Sequence, residues 1–216
     1  MISIIDYGVG NLASVQKAFH FIGSEAVITK DKDLILDSDG VVLPGVGAYL
    51  DAVESLKRAG MADLVKKMIE DGKPFLGICL GMQLLFEYSE EGGDKVPGLG
   101  VFKGTVRQFP LNMKLKVPHM GWNSLKIRDD CPVFSGLENN PYVYFVHSYY
   151  LKAADKDIVA AVSNYGIDFD AAVYCKNVFA SQFHPEKSGN VGLTILKNWV
   201  DLFIKQEDLN DHLSGN

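Results

Sequence analysis

The sequence predicts an α/β domain built on a mixed, largely parallel central sheet. Short apolar runs alternate with helical patterns through the N-terminal half, a rhythm that calls for parallel strands with helices on both faces. The C-terminal half turns to strand after strand, two of them joined across Lys176-Asn177 as a hairpin, so antiparallel strands extend or flank the parallel core. The chain has 216 residues, 47% of them hydrophobic and 22% charged, which is ample for a full core. It shows no repeat, low-complexity tract or linker, and a single domain over 1–216 is expected.

In order, "ISIID" reads as a strand, and Asn11 is expected to cap a helix that places Leu12, Val15, Phe19 and Ile22 on one face. "EAVIT" and "GVVLP" are the next strands. A helical stretch follows from about Tyr49 to Asp71, interrupted near Gly60, with Gly72 and Pro74 punctuating its end. "FLGIC" is the fourth strand, and an amphipathic helix pattern follows at once in "LGMQLLF". Beyond it, "GVFKGTVRQF", "NSLKIR", "YVYFVHSYYLKA", "IVAAVSNYG" and "AAVYCKNVFASQF" read as strands. A last helix, about Asn190 to Lys205, carries Leu193, Leu196, Trp199, Val200 and Phe203 on one face. The polar tail "EDLNDHLSGN" is expected to fray.

The bulk properties exclude several classes of function. A net charge of −6 argues against nucleic acid or an anionic membrane as the main partner, since either calls for a basic face. The start "MISIIDYGVG" has neither a positive n-region nor a long apolar core, and no apolar run approaches a membrane span. Cys79, Cys131 and Cys175 form no CxxC pair, which reads as reduced thiols and a cytoplasmic location. His20, His119, His147, His184 and His212 show no ligand spacing, so neither a metal nor another cofactor is expected.

Gly77-Ile78-Cys79-Leu80-Gly81 is the cysteine counterpart of the G-x-S-x-G nucleophile elbow. A strand turning sharply into a helix strains the nucleophile's backbone, and glycine on either side removes Cβ clashes. At a helix N-terminus the macrodipole favours thiolate, and the amide of Leu80 points to where an oxyanion would form. The alternative is a small buried hydrophobe in a glycine-rich turn, and the elbow alone leaves the two balanced. His184-Pro185-Glu186 supplies what a nucleophile needs. Residues two apart on an extended segment project to one side, so Glu186 would hold the imidazole of His184 in its working tautomer. Taken separately, His184 is a strand-end histidine and Glu186 a solvated carboxylate; with Cys79, a triad is the better account. His147 is expected to be a satisfied core or pocket-wall histidine, and His119 has no adjacent acid. His20 and His212 look incidental, and Cys131 and Cys175 read as packing residues. The amides around Val46 and Gly47 in "VVLPGVGAYLDAV" would supply the second half of an oxyanion hole, unless this is an ordinary strand-to-helix turn. A competing dinucleotide fingerprint, G-x-G-x-x-A over Gly8–Ala13 with Asp31 downstream, is weakened because Asp6 and Tyr7 separate the strand from its first glycine.

"PGVGAY", "GICLGMQLLF" and "QFHPEKSG", in that order, resemble the class I (triad) glutamine amidotransferases over most of the chain. Within that family, "DYGVGNLASV", "SEEGG…GLG", "PHMGWN" and "YFVHSYY" resemble the glutaminase subunits of imidazole glycerol phosphate synthase. The resemblance implies a flavodoxin-like three-layer fold and a Cys79–His184–Glu186 triad that hydrolyses L-glutamine through a γ-glutamyl thioester. It places Gly47, Gln83, Glu91, Ser148 and Tyr149 around glutamine. It also implies a heterodimer with a (β/α)8-barrel cyclase subunit that receives the ammonia in histidine biosynthesis. Met120, Trp122, Tyr144 and Lys187 are the residues expected near that partner. The rival expectations are the glutaminase of another amidotransferase, a cysteine hydrolase or peptidase on the same framework, and a catalytically dead binding subunit.

Overall fold

A computed structural model describes residues 1–205 apart from 94 and 111; His212 and the polar tail lie outside the described residues. The strands are β1 (Ile2–Ile5), β2 (Ala26–Thr29), β3 (Gly40–Gly45), β4 (Phe75–Cys79), β5 (Phe86–Ser89), β6 (Val96–Pro97) and β7 (Phe102–Gln108). There follow β8 (His119–Ser124), β9 (Lys126–Ile127), β10 (Tyr142–His147), β11 (Tyr149–Ala153), β12 (Val159–Asn164), β13 (Asp168–Cys175) and β14 (Val178–Ser181). Helices are α1 (Leu12–Phe21), α2 (Lys32–Asp37), α3 (Tyr49–Arg58), α4 (Ala62–Glu70), α5 (Leu80–Leu84) and α6 (Gly189–Phe203).

Five strands form the parallel half of the main sheet in the order β2-β1-β3-β4-β14, and β13, β11, β7, β5 and β6 continue it as a mixed extension. β1, β3, β4 and β14 are buried along their whole length, as strands covered on both faces must be. Alternation then sorts their side chains between two cores. Val42, Leu76 and Ile78 face one core, with Val15 and Phe19 of α1 and Ile195, Leu196 and Trp199 of α6. Val41, Leu43 and Phe75 face the other, with Ala52 and Leu56 of α3 and Val65 and Met68 of α4. The result is the three-layer, flavodoxin-like α/β arrangement expected from the sequence.

The helical stretch from Tyr49 is indeed interrupted at Gly60. There φ is +64°, and the amides of Gly60 and Met61 return to the carbonyls of Lys57 and Leu56, closing α3 in a Schellman turn that only a residue tolerant of the left-handed region completes without strain. The hairpin at Lys176-Asn177 also forms, between β13 and β14. Other expectations change. Asn11 makes no side-chain cap, whereas Asp31 accepts from the amides of Asp33 and Leu34 and starts α2, a helix not foreseen. "YVYFVHSYYLKA" is two strands: β10 pairs with β8 in a separate two-stranded ribbon, and beyond Ser148 β11 joins the main sheet. "NSLKIR" likewise divides at Leu125, which is fully buried where β8 ends and β9 begins. The helix after Cys79 is five residues long and buried all round, so its pattern is not amphipathic. Among the described residues no helix is long and apolar enough to cross a membrane.

Candidate active site

Strand register assembles the site at the carboxyl ends of three neighbouring parallel strands, the usual place for function in an open α/β sheet. Gly45 of β3 pairs with Cys79 of β4, and Ser181 of β14 pairs with Ile78. The chain leaving β3 therefore brings Val46 and Gly47 to one side of Cys79, and the chain leaving β14 brings Gln182 and His184 to the other. Cys79 sits at φ 55°, ψ −109°, a left-handed conformation rare for a residue with a side chain. Its flanking glycines permit close approach. A Cβ on Gly81 would lie 1.8 Å from the carbonyl oxygen of Leu43, and one on Gly77 would lie 3.0 Å from Cβ of Ala180.

His184 and Glu186 are joined as expected: Nδ1 of His184 lies 2.8 Å from Oε1 of Glu186, and both side chains are buried. The geometry differs in one respect, because Glu186 reaches back from a 3-10 turn, Pro185–Lys187, rather than along an extended segment. Nε2 of His184 is buried without a hydrogen-bond partner. Burial pulls the imidazole's pKa down, but the Cys79 sulfur and the Glu186 carboxylate outweigh it and raise the pKa to about 10, so the imidazolium is favoured. The Cys79 sulfur itself meets the carbonyl of Val146 at 3.9 Å and Nε2 of Gln182 at 3.6 Å.

Val46, Gly47, Cys79, Leu80, Gln83, Glu91, Ser148 and Tyr149 all line one cavity of about 260 Å³, completed by Pro118, Val146 and His147. Every residue assigned from sequence to the oxyanion hole or to glutamine is thus on its wall. Burial raises the pKa of the Glu91 carboxyl; a hydrogen bond from the Tyr49 backbone opposes this and the charge of Asp51 adds to it. Gln83 is committed within the protein, its Nε2 donating to the Tyr149 carbonyl at 3.0 Å and to Oε1 of Gln182 at 2.8 Å, which leaves its oxygen for a ligand. A larger groove of about 860 Å³ runs past Glu87, Glu90, Lys95, Arg107, Lys152 and Lys156, away from the triad.

His147 is the pocket-wall histidine expected. Its Nδ1 donates to the Tyr149 carbonyl at 2.8 Å, and its Nε2 accepts from Nδ1 of His119 at 2.9 Å. His119 is stacked between Phe145 and Tyr165, with Nε2 facing the Asn123 amide. Burial lowers both pKa values, to about 3 for His147 and about 4 for His119, whereas that of His184 is raised. Asp31 spends its carboxylate capping α2, which removes the acidic residue the dinucleotide fingerprint required. Cys131 and Cys175 are free, the first buried and the second half-buried.

Met120 and Trp122 are exposed, Tyr144 and Lys187 half-buried. On the ribbon Tyr144 pairs with Trp122 and Val146 with Met120, so these side chains share one face; Lys187 lies 6.0 Å above the Tyr144 ring. Tyr142, 60% exposed, belongs to the same face and was not singled out from sequence, although its spacing of two from Tyr144 points to it. Three buried residues near the triad were also missed. Tyr7 donates to the Pro44 carbonyl beneath the Val46–Gly47 turn. Ser188 accepts from the Tyr144 amide and donates to the His184 carbonyl. Gln182 lies one residue from the well-marked His-Pro-Glu run, and no motif distinguishes it.

The sequence model of the glutamine amidotransferase class-I family matches residues 3–202. The imidazole glycerol phosphate synthase subunit HisH of Caldanaerobacter subterraneus subsp. tengcongensis is 54% identical over 94% of this chain and 98% of its own length. The subunit of the same name from Geobacter metallireducens is 53% identical over 92% and 97%. Among solved structures, a glutamine amidotransferase shares the fold with a TM-score of 0.72 at 20% identity, over 93% of this chain and 97% of that one. A chain of PurLQS from Thermotoga maritima matches with the same TM-score, identity and coverage.

Proposed function

This chain belongs to the class I glutamine amidotransferase family, and we propose that it acts, as one glutaminase domain, in imidazole glycerol phosphate synthase, hydrolysing L-glutamine to glutamate and ammonia. The observation that carries the proposal is the Cys79 elbow on the wall of a cavity of about 260 Å³, with the buried, hydrogen-bonded His184–Glu186 pair on the chain that leaves the neighbouring strand β14. The match to the glutamine amidotransferase class-I family over residues 3–202 disfavours the peptidase alternative.

The Cys79 thiolate attacks the carbon of the glutamine side-chain amide, forming an S–C bond and an oxyanion that faces the amides of Leu80 and of the Val46–Gly47 turn. The His184 imidazolium passes its proton to the amide nitrogen, the C–N bond breaks and ammonia leaves. Water then attacks the thioester, giving its proton to His184; the C–S bond breaks, and glutamate and thiolate are released. Glu186 holds the imidazole by Nδ1 throughout and stabilises its charge. Glu91, Gln83, Ser148 and Tyr149 hold the amino acid's polar groups.

Ammonia protonates in bulk water, so a partner must take it directly. The partner that fits the relatives' names is the (β/α)8-barrel cyclase subunit, docked on Met120, Trp122, Tyr144 and Lys187. Glutamate release measured with and without that subunit and its nucleotide ligand tests the proposal. Turnover should depend on Cys79, with Cys79→Ala abolishing it; activity retained in that variant would remove the nucleophile from the mechanism. Alanine at the four docking positions should weaken assembly or coupling and leave the triad intact.

A further inference from the structure

We propose that Gln182 is a catalytic residue, whose side-chain amide donates a hydrogen bond to the Cys79 sulfur and holds it as thiolate. This rests on Cys79 being the glutaminase nucleophile.

Gln182 is fully buried where the chain leaves β14, its backbone amide fixed to the Ala171 carbonyl at 2.8 Å. Its side chain spans the gap between Gln83 and Cys79, with Oε1 on Nε2 of Gln83 and Nε2 on the sulfur at 3.6 Å. A main-chain carbonyl sets the direction of this chain of amides. The oxygen of Tyr149 accepts only, so Gln83 must turn its nitrogen toward it. That nitrogen's second hydrogen then calls for an acceptor, which is Oε1 of Gln182. The nitrogen of Gln182 is left facing Cys79, and exchanging its oxygen and nitrogen would set donor against donor. The sulfur therefore faces a donor by construction.

The consequence is electrostatic. A thiol is a weak acceptor and a thiolate a strong one, so a fixed donor favours the charged form. The Val146 carbonyl on the same sulfur acts in the opposite sense, since it can only accept a thiol hydrogen. α5 is five residues long, and its small dipole gives the thiolate little support. His184 supports the thiolate only while protonated, and it must surrender its proton when ammonia leaves. Gln182 titrates at no step, so its hydrogen bond is present in the resting enzyme and again when the sulfur leaves the thioester.

The test uses the full chain and two variants. Gln182→Met keeps length and bulk without a donor; Gln182→Glu keeps an acceptor for Gln83 and turns a carboxylate oxygen toward the sulfur. The measurement is the pH dependence of iodoacetamide alkylation, read by mass spectrometry on the Cys79 peptide so that Cys131 and Cys175 do not contribute. Losing a donor to the charged sulfur should move the thiol's titration about one pH unit or more higher, so alkylation at pH values below the parent's midpoint should fall about tenfold or more. Gln182→Glu should show the larger effect, and kcat for glutamine should fall with it. A folded variant of either kind whose thiol titrates as in the parent overturns the proposal. So does a rise in KM for glutamine with the thiol unchanged, which would confine Gln182 to orienting Gln83. Folding is checked by thermal midpoint, and either folded variant decides the matter alone; loss of folded protein in both would overturn it in favour of a structural role. The alkylation contains no glutamine, so failure here leaves the glutaminase proposal standing, whereas glutamine hydrolysis surviving Cys79→Ala removes that proposal while the thiol titration is still read.

Discussion

Glu186 shows how far a single residue's role follows from its surroundings. Its carboxylate is buried, one oxygen bonded to Nδ1 of His184 and the other without a partner, so its charge faces the imidazole almost unscreened. Glu186→Gln keeps an oxygen for Nδ1 but removes the charge that stabilises the imidazolium. We expect kcat for glutamine to fall by roughly 10²-fold or more with KM little changed, the pattern for an interaction that strengthens in the transition state. Steady-state kinetics on the assembled enzyme check this. Cys79, His184 and Glu186 were legible in the sequence because local chemistry marks each one: glycines around the thiol, and an acid two residues from a histidine. Gln182 and Ser188 carry no such mark. Their partners lie 103 and 44 residues away, and only the register of β14 on β4 and the path of β10 bring them together.

At the scale of elements, the turn from β4 to α5 is fixed by contact more than by propensity. Gly81 packs so closely on β3 that a methyl group there would overlap the Leu43 carbonyl, a backbone atom that moves only with its strand. Gly81→Ala should therefore destabilise the fold by about 1–3 kcal/mol or more, visible as a lower thermal midpoint, and should displace Leu80 and so reduce activity beyond the loss of stability. The pattern around Cys79 announced the turn but not the shortness of the helix. Helical spacing cannot distinguish an amphipathic helix from one buried on all sides, as Leu80–Leu84 is. Likewise "YVYFVHSYYLKA" is strand throughout by composition, yet its change of sheet at Ser148 depends on β8, which lies more than twenty residues upstream. The helix that Asp31 caps went unforeseen for a similar reason: a carboxylate after a strand serves a ribose or a helix cap equally well until the next six residues fold.

Across the whole molecule, the β8–β10 ribbon has two unlike faces. The inner one carries the His119–His147 pair, neutral and hydrogen-bonded. Because folding depresses both pKa values below the ordinary 6.5, the unfolded chain takes up protons first on acidification. Stability from this pair is fully present above about pH 6.5 and is lost as pH falls toward about 4 and then 3. His184 has the opposite sign: its raised pKa contributes stability that is full below pH 6.5 and lost only as pH rises through its folded value. The thermal midpoint should thus decline between pH 6.5 and 4, and a His119→Phe, His147→Phe double variant should flatten that limb. The outer face carries Met120, Trp122, Tyr142 and Tyr144, and it is tied to the triad through β10: the Tyr144 carbonyl accepts from the His184 amide, Ser188 bridges Tyr144 and His184, and the Val146 carbonyl touches the Cys79 sulfur. A partner seated on that face would therefore press on the strand that touches both the Cys79 sulfur and the His184–Ser188 segment. If the proposed cyclase subunit docks there, Trp122→Ala should weaken its binding by about 2 kcal/mol, roughly 30-fold, as for an aromatic anchor in an interface. Ser188→Ala should leave that affinity unchanged while lowering the gain in glutamine turnover that the partner produces, because it cuts a tie to the main chain of Tyr144 behind the face and removes no side chain from it. Titration calorimetry together with glutamate release from the same two variants separates the effects; equal losses of affinity in both would mean that the ribbon docks the partner without transmitting anything to the triad.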